Sequence, residues 1–142
     1  MSSRIESPTN PRVAAASRAV REGEALLLEG ARTLRDALDA GVVPDVVFAA
    51  PDLAPIDAAV AEDARAAGAS VVEVSQRVLA RLSELGSTRA LVALAPVPSA
   101  RLESLSRAAL VLLLDGLQDP ANVGAILRAA EAFGAGGVIL TP

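Results

Sequence analysis

Arg128 is the residue of this chain best placed to act on an anion. Ala121, Gly124, Arg128 and Glu131 recur at spacings of three and four, so a helix across them sets all four on one line. Two small residues then leave open space in front of a guanidinium. A planar fork of donors in such a space suits a large anionic partner. Arginine keeps its proton at physiological pH, so base catalysis by a free guanidinium is not expected. The same spacing between Arg128 and Glu131 also fits an ordinary surface ion pair, which contributes only a few tenths of a kcal/mol.

The surrounding sequence supplies the elements that position this line. Residues 111–114 are a short apolar run closed by Asp115-Gly116, the pattern of a strand buried on both faces. Asp119 is an N-cap, Pro120 fits the first helical position, and Gly134 stands where a left-handed C-terminal cap belongs. Between them Val123, Ile126, Leu127, Ala130 and Phe133 form the stripe expected to be buried, and residues 137–140 form a second strand. Upstream, helix and strand signals alternate. Asn10-Pro11 opens a helix to about Arg21. Strands are expected at 25–28, 46–49, 71–74 and 91–95, and helices at 31–40, from Pro55 to about 67, and from Ser75 to about 85. Four strands and four helices predict a small three-layer α/β domain over residues 1–95 with a mostly parallel sheet. Pro96-Val-Pro-Ser-Ala100 breaks the pattern, so residues 96–107 are expected to be a linker and 108–142 the start of a second domain.

Composition narrows the chemistry. The chain has 142 residues, no cysteine and no histidine, which removes thiol nucleophiles, the usual neutral-pH base and the common zinc ligands. Its carboxylates form no spaced cluster, so no metal site is expected. Residues 1–8 hold no apolar core of a secretory signal, which gives the expectation of a cytoplasmic protein, and no stretch approaches a membrane span. A formal net charge of −4 opposes non-specific nucleic-acid binding. The first 21 residues run against that balance, with Arg4, Arg12, Arg18 and Arg21 facing one acid, Glu6. With neither Trp nor Tyr in the chain, base stacking is not the expected mode of recognition; shape and backbone are.

Taken together, Asp115-Gly-Leu-Gln-Asp-Pro-Ala-Asn-Val-Gly124 with Arg128, Glu131 and Phe133-Gly134 resembles the first motif of the SpoU/TrmH family of RNA 2'-O-ribose methyltransferases. Ser7-Pro-Thr-Asn-Pro-Arg-Val13, Leu26-Leu-Leu-Glu-Gly30, Leu34 and Ala37-Leu38-Asp-Ala-Gly41 resemble the domain that precedes catalysis in many members. The resemblance implies a ribosomal-protein-like substrate-binding domain followed by the first β-α-β of a SPOUT α/β-knot domain. It implies methyl transfer from S-adenosylmethionine to a ribose 2'-hydroxyl. Arg128 would orient that hydroxyl and stabilise its alkoxide, Asn122 would hold the ribose or the arginine, and Glu131 would fix the guanidinium.

RNA contacts would fall to Asn10, Arg12, Arg18, Glu29 and Gly30, and the partner would be structured RNA, ribosomal rather than transfer, with a homodimer for the complete protein. Two positions depart from the family pattern. Ala14 follows Val13 where a basic residue is usual, and Thr88-Arg89-Ala90 replaces Pro-Gln-Gly, which bears on RNA affinity and choice of target. The family's later segments, which thread a knot and line the cofactor pocket, are not found in residues 1–142. No cofactor-binding residue is therefore expected within this span, and this form is expected to be a truncated chain that binds RNA and is inactive. The alternatives are a non-catalytic RNA-binding module and a dinucleotide-binding oxidoreductase. The second lacks Gly-x-Gly-x-x-Gly, since the loop offers only Gly116 and Gly124 around Asp119-Pro120.

Overall fold

Three strands running one way, with a fourth inserted between them in reverse, organise the first part of the chain. The structure is a computed structural model, and residues 4–83, 90–98 and 101–141 are described. The chain separates into two compact units, residues 1–98 and 99–142. In the first, the elements run α1 (Pro11–Arg21), β1 (Ala25–Glu29), α2 (Gly30–Asp39), β2 (Val46–Ala49), α3 (Pro55–Ala66), β3 (Ser70–Glu73), α4 (Gln76–Leu82) and β4 (Leu91–Pro96). The sheet order is β1-β4-β2-β3, with β2 and β3 parallel and β4 antiparallel to both β1 and β2.

The expectation of a mostly parallel sheet is therefore corrected to a mixed one. A helix between two strands permits a crossover back to the starting end of the sheet but does not enforce it. Here α2 and α3 make such crossovers. The chain after β3 passes through α4 and re-enters between β1 and β2 from the end at which it left, so β4 runs reversed.

Strand alternation sorts the core into two layers. Phe48, Val72, Val92 and Leu94 face α1 and α4, where they meet Val13, Ala16, Val78 and Leu79. Val47, Ala49, Leu91 and Ala93 face α2 and α3, where they meet Leu34, Val60, Ala61 and Ala64. Helices cover both faces, as the three-layer reading requires. Burial at this level is complete: Phe48 is 1% exposed and Leu34 0%, and truncating either to alanine should cost about 2–5 kcal/mol.

The segment before α1 is ordered as well. Ile5 bridges Val74 in parallel, its N–H donating to the Glu73 carbonyl at 3.0 Å, and the N–H of Ser75 donates to the Ile5 carbonyl at 3.0 Å. The basic arm thus caps the open edge of β3. Arg4 is committed to this edge, pairing with Glu6 at 2.8 Å and Glu73 at 3.7 Å.

The second unit holds a 3-10 helix at Leu102–Arg107, β5 (Val111–Leu114), α5 (Pro120–Ala132) and β6 (Gly137–Leu140), with β5 and β6 paired in parallel. The 3-10 helix occupies much of the stretch read as a linker. Its packing depends on two glycines: a Cβ at Gly136 would overlap Ala108, and one at Gly137 would overlap Leu105. β5 is not the doubly buried strand expected, because Val111 and Leu113 are 37% and 63% exposed. Two strands with one helix cannot cover both faces of a sheet.

Candidate functional site

α5 starts and stops where its sequence dictates. Asp119 Oδ1 accepts from the backbone N–H of Ala121 at 2.9 Å, and Pro120 occupies the first helical position. At the other end Gly134, at φ +72°, takes the left-handed conformation, and the N–H of Ala135 donates to the Ala130 carbonyl at 2.9 Å. At the strand ends, the Thr141 hydroxyl donates to Asp115 Oδ1, and its N–H donates to the Leu114 carbonyl at 3.0 Å. That clamp fixes the C-terminal ends of β5 and β6 together. Crevices outside the carboxyl ends of parallel strands are where α/β folds bind ligands.

Arg128 lies over Gly124. A Cβ built at Gly124 would stand 3.6 Å from Arg128 Nη1, so the glycine is the floor beneath the guanidinium. Among the described residues Arg128 makes no ion pair. Glu131 does not hold the guanidinium, contrary to the role the sequence resemblance implied for it, and the surface ion-pair reading is not realised either. Asn122 is exposed in the first turn of α5, six residues before Arg128 and about 120° from it around the helix. The buried stripe is also corrected. Ala130 alone is fully buried, Val123 and Ile126 are half-buried, Leu127 is 38% exposed, and Phe133 is 84% exposed. The helix pattern was right, but the unit supplies too little opposing surface to bury it.

The proposed RNA contacts on the first unit are spread out. Asn10 caps α1, its Oδ1 accepting from the Arg12 N–H at 2.9 Å, so only its amide hydrogens remain for a ligand. Arg12 and Arg18 are exposed and make no ion pair among the described residues, but six residues of helix set them about 120° apart on different faces. Gly30, at φ +84°, makes the corner from β1 into α2, a turn that favours glycine. Glu29 Oε2 accepts from the Ser83 hydroxyl, tying that corner to the end of α4. Thr88 and Arg89, the departure from the family pattern, lie outside the described residues.

Two features escaped the sequence reading. One is the overlap of Gly136 and Gly137 with the 3-10 helix; the Gly-Gly pair was a visible signal for a close approach. The other is Arg81, which lines a cavity with Arg21 and which no local pattern marks. No group of His, Cys, Asp or Glu suited to a metal is found among the described residues, and none of their helices is long and apolar enough to cross a membrane. The cavity found in the second unit, about 220 Å³, is lined by Arg101, Leu102, Leu105, Val138 and Ile139. Those side chains offer no acceptor for an adenine amino group or an ammonium, and none of them is assigned a contact to S-adenosylmethionine.

Comparison with known proteins finds matches to two family models along the chain. Residues 16–93 match the model described as MRM3-like substrate binding domain, and residues 109–142 match the SpoU rRNA Methylase family. Human rRNA methyltransferase 3, mitochondrial, is 31% identical over 137 residues, covering 88% of this chain and 31% of that protein. A solved RNA 2'-O ribose methyltransferase superposes with a TM-score of 0.74 at 36% identity, covering 99% of this chain and 56% of that one. The AdoMet-bound rRNA methyltransferase of Sinorhizobium meliloti gives 0.78 at 28%, covering 97% and 54%. The chain thus spans about half the length of these solved relatives.

Proposed function

The chain belongs to the SpoU/TrmH family of RNA methyltransferases through an MRM3-like substrate-binding domain and a following SpoU methylase segment, and on that premise we propose that it serves 2'-O-ribose methylation of ribosomal RNA. The observation that carries the reading is the Arg128 guanidinium above Gly124, without an ion pair among the described residues, in the motif that includes Asn122. In this reading Arg128 forks onto the phosphate beside the target ribose. It then stabilises the alkoxide as the 2'-hydroxyl loses its proton, an effect of about 3 kcal/mol in a water-poor site. Asn122 orients the ribose. The methyl group comes from S-adenosylmethionine, for which no residue of this chain is assigned a contact. Glu131 remains at the rim of the site without a hold on the arginine.

The first unit supplies the grip on folded RNA, with Arg12 and Arg18 as phosphate contacts and the Glu29-Gly30 corner as a shape-reading edge. A homodimer and a cytoplasmic location go with this proposal, although the human relative is named as mitochondrial. The test is methyl transfer to large-subunit ribosomal RNA by residues 1–142 joined to the segment that the solved relatives carry beyond the matched half. Arg128→Ala should lower turnover at least about 10²-fold with cofactor affinity unchanged, and Arg128→Lys should fail similarly because an ammonium lacks the planar fork. A normal rate in Arg128→Ala would remove the residue from the chemistry.

A further inference from the structure

A cavity of about 190 Å³ opens between α1, β1 and α4, lined by Ser17, Val20, Arg21, Leu27, Arg81, Leu82 and Ser83. Arg21 of α1 and Arg81 of α4 both line it, beside the apolar Val20, Leu27 and Leu82. Neither is neutralised: among the described residues Arg21 and Arg81 form no ion pair, whereas Arg4, Arg35, Arg65 and Arg101 all do. The other described arginine-lined cavities of this unit hold at most one unpaired arginine. Between α2 and α3, Arg32 makes no ion pair among the described residues but Arg35 is held by Asp63 at 2.6 Å, and under α3 Arg65 is paired with Glu62. Two like charges facing one cavity repel unless an anion sits between them. Ser83, which also lines the cavity, donates its hydroxyl to Glu29.

We propose that this cavity is a phosphate subsite for the RNA backbone, in which Arg21 and Arg81 grip a single phosphodiester and Ser17, one turn before Arg21, adds a hydroxyl donor. The inference rests on the RNA reading above and adds to it a place on the first unit. It also explains why the charge of α1 is concentrated toward its end: Arg18 and Arg21 lie in the last turn. The bound phosphate bridges α1 to α4, and through Ser83 and Glu29 it reports to the corner that opens α2.

The experiment is filter binding of the 142-residue chain to transcribed large-subunit ribosomal RNA across a salt series, with circular dichroism confirming that each variant is folded. Arg21→Gln and Arg81→Gln should each weaken binding about tenfold. The double variant should flatten the salt slope by about 0.9, the value for one phosphate rather than two. Arg81→Lys should keep the slope and lose part of the affinity. Unchanged affinity and slope in the double variant, while the wild-type chain binds tightly, would overturn the subsite and leave the RNA reading standing. A slope change of about 1.8 would overturn the single-phosphate grip. Failure of the wild-type chain to bind RNA at any salt would overturn both.

Discussion

Arg128 owes its availability to Gly124. A glycine inside a helix costs about 0.5–1 kcal/mol relative to alanine, so its place beneath a guanidinium calls for a reason of space. Here the space is measured: a single added carbon meets Arg128 Nη1 at ordinary contact distance, 3.6 Å. Gly124→Ala is therefore expected to raise the stability of the second unit by about 0.5–1 kcal/mol in urea denaturation with little change in methyl transfer. Gly124→Val, whose branch must extend into the guanidinium, should cut transfer while leaving the fold in place. Equal activity of the two variants would show that the floor does not govern the arginine. The absence of an ion pair to Glu131 points the same way, and Glu131→Gln should change turnover far less than Arg128→Ala does.

At the level of elements, helix ends and close approaches decide the geometry. The 3-10 helix at Leu102–Arg107 is seated by glycines at the start of β6, and Gly136 is the less forgiving of the two because the overlap is with Ala108, whose Cα lies 3.3 Å away. Gly136→Ala should destabilise the second unit by about 1–3 kcal/mol through overpacking, whereas at Gly137 the Leu105 side chain can turn aside and the cost should be smaller. Denaturant midpoints for the two variants measure this directly; equal costs would contradict the packing described. At the opposite end of the chain, Asn10 caps α1 by a bond to the Arg12 N–H, so Asn10→Ala should lose about 1 kcal/mol of stability whatever it does to RNA binding. Any loss of RNA affinity in Asn10→Ala is accordingly to be read against its melting temperature.

For the whole molecule, the two units differ in how far they can bury their apolar residues. The first closes two cores on either side of a four-stranded sheet. The second leaves Leu113, Phe133 and Leu140 at 63%, 84% and 54% exposure. Sheets of two strands are marginal by themselves, and local stability follows buried apolar contact. Native-state hydrogen exchange should therefore show protection in β2 and β4 that approaches global stability, and early opening of β5 and β6. Appending the segment carried by the solved relatives should raise protection in β5 and β6 and leave β2 and β4 unchanged. Equal protection of both units in the 142-residue chain would contradict this reading.

The sequence by itself determined the strands and α-helices, the caps, the motif around Arg128 and the family, because these depend on neighbours within a few residues. Asn10, Ser75, Asp119 and Gly134 mark helix ends through bonds to nearby backbone groups, so their spacing is enough. What only the tertiary structure decided depends on contacts between distant parts. The reversal of β4 was one such case, since a helix between strands allows either return. The exposure of Phe133 and Leu113 was another, since periodicity states which residues align but not whether a partner surface covers them. The capture of Arg4 by Glu73, the freedom of Arg128 from Glu131, and the cavity shared by Arg21 and Arg81 belong to the same class. Each pairs side chains by their positions in space, which the order of residues along the chain does not express.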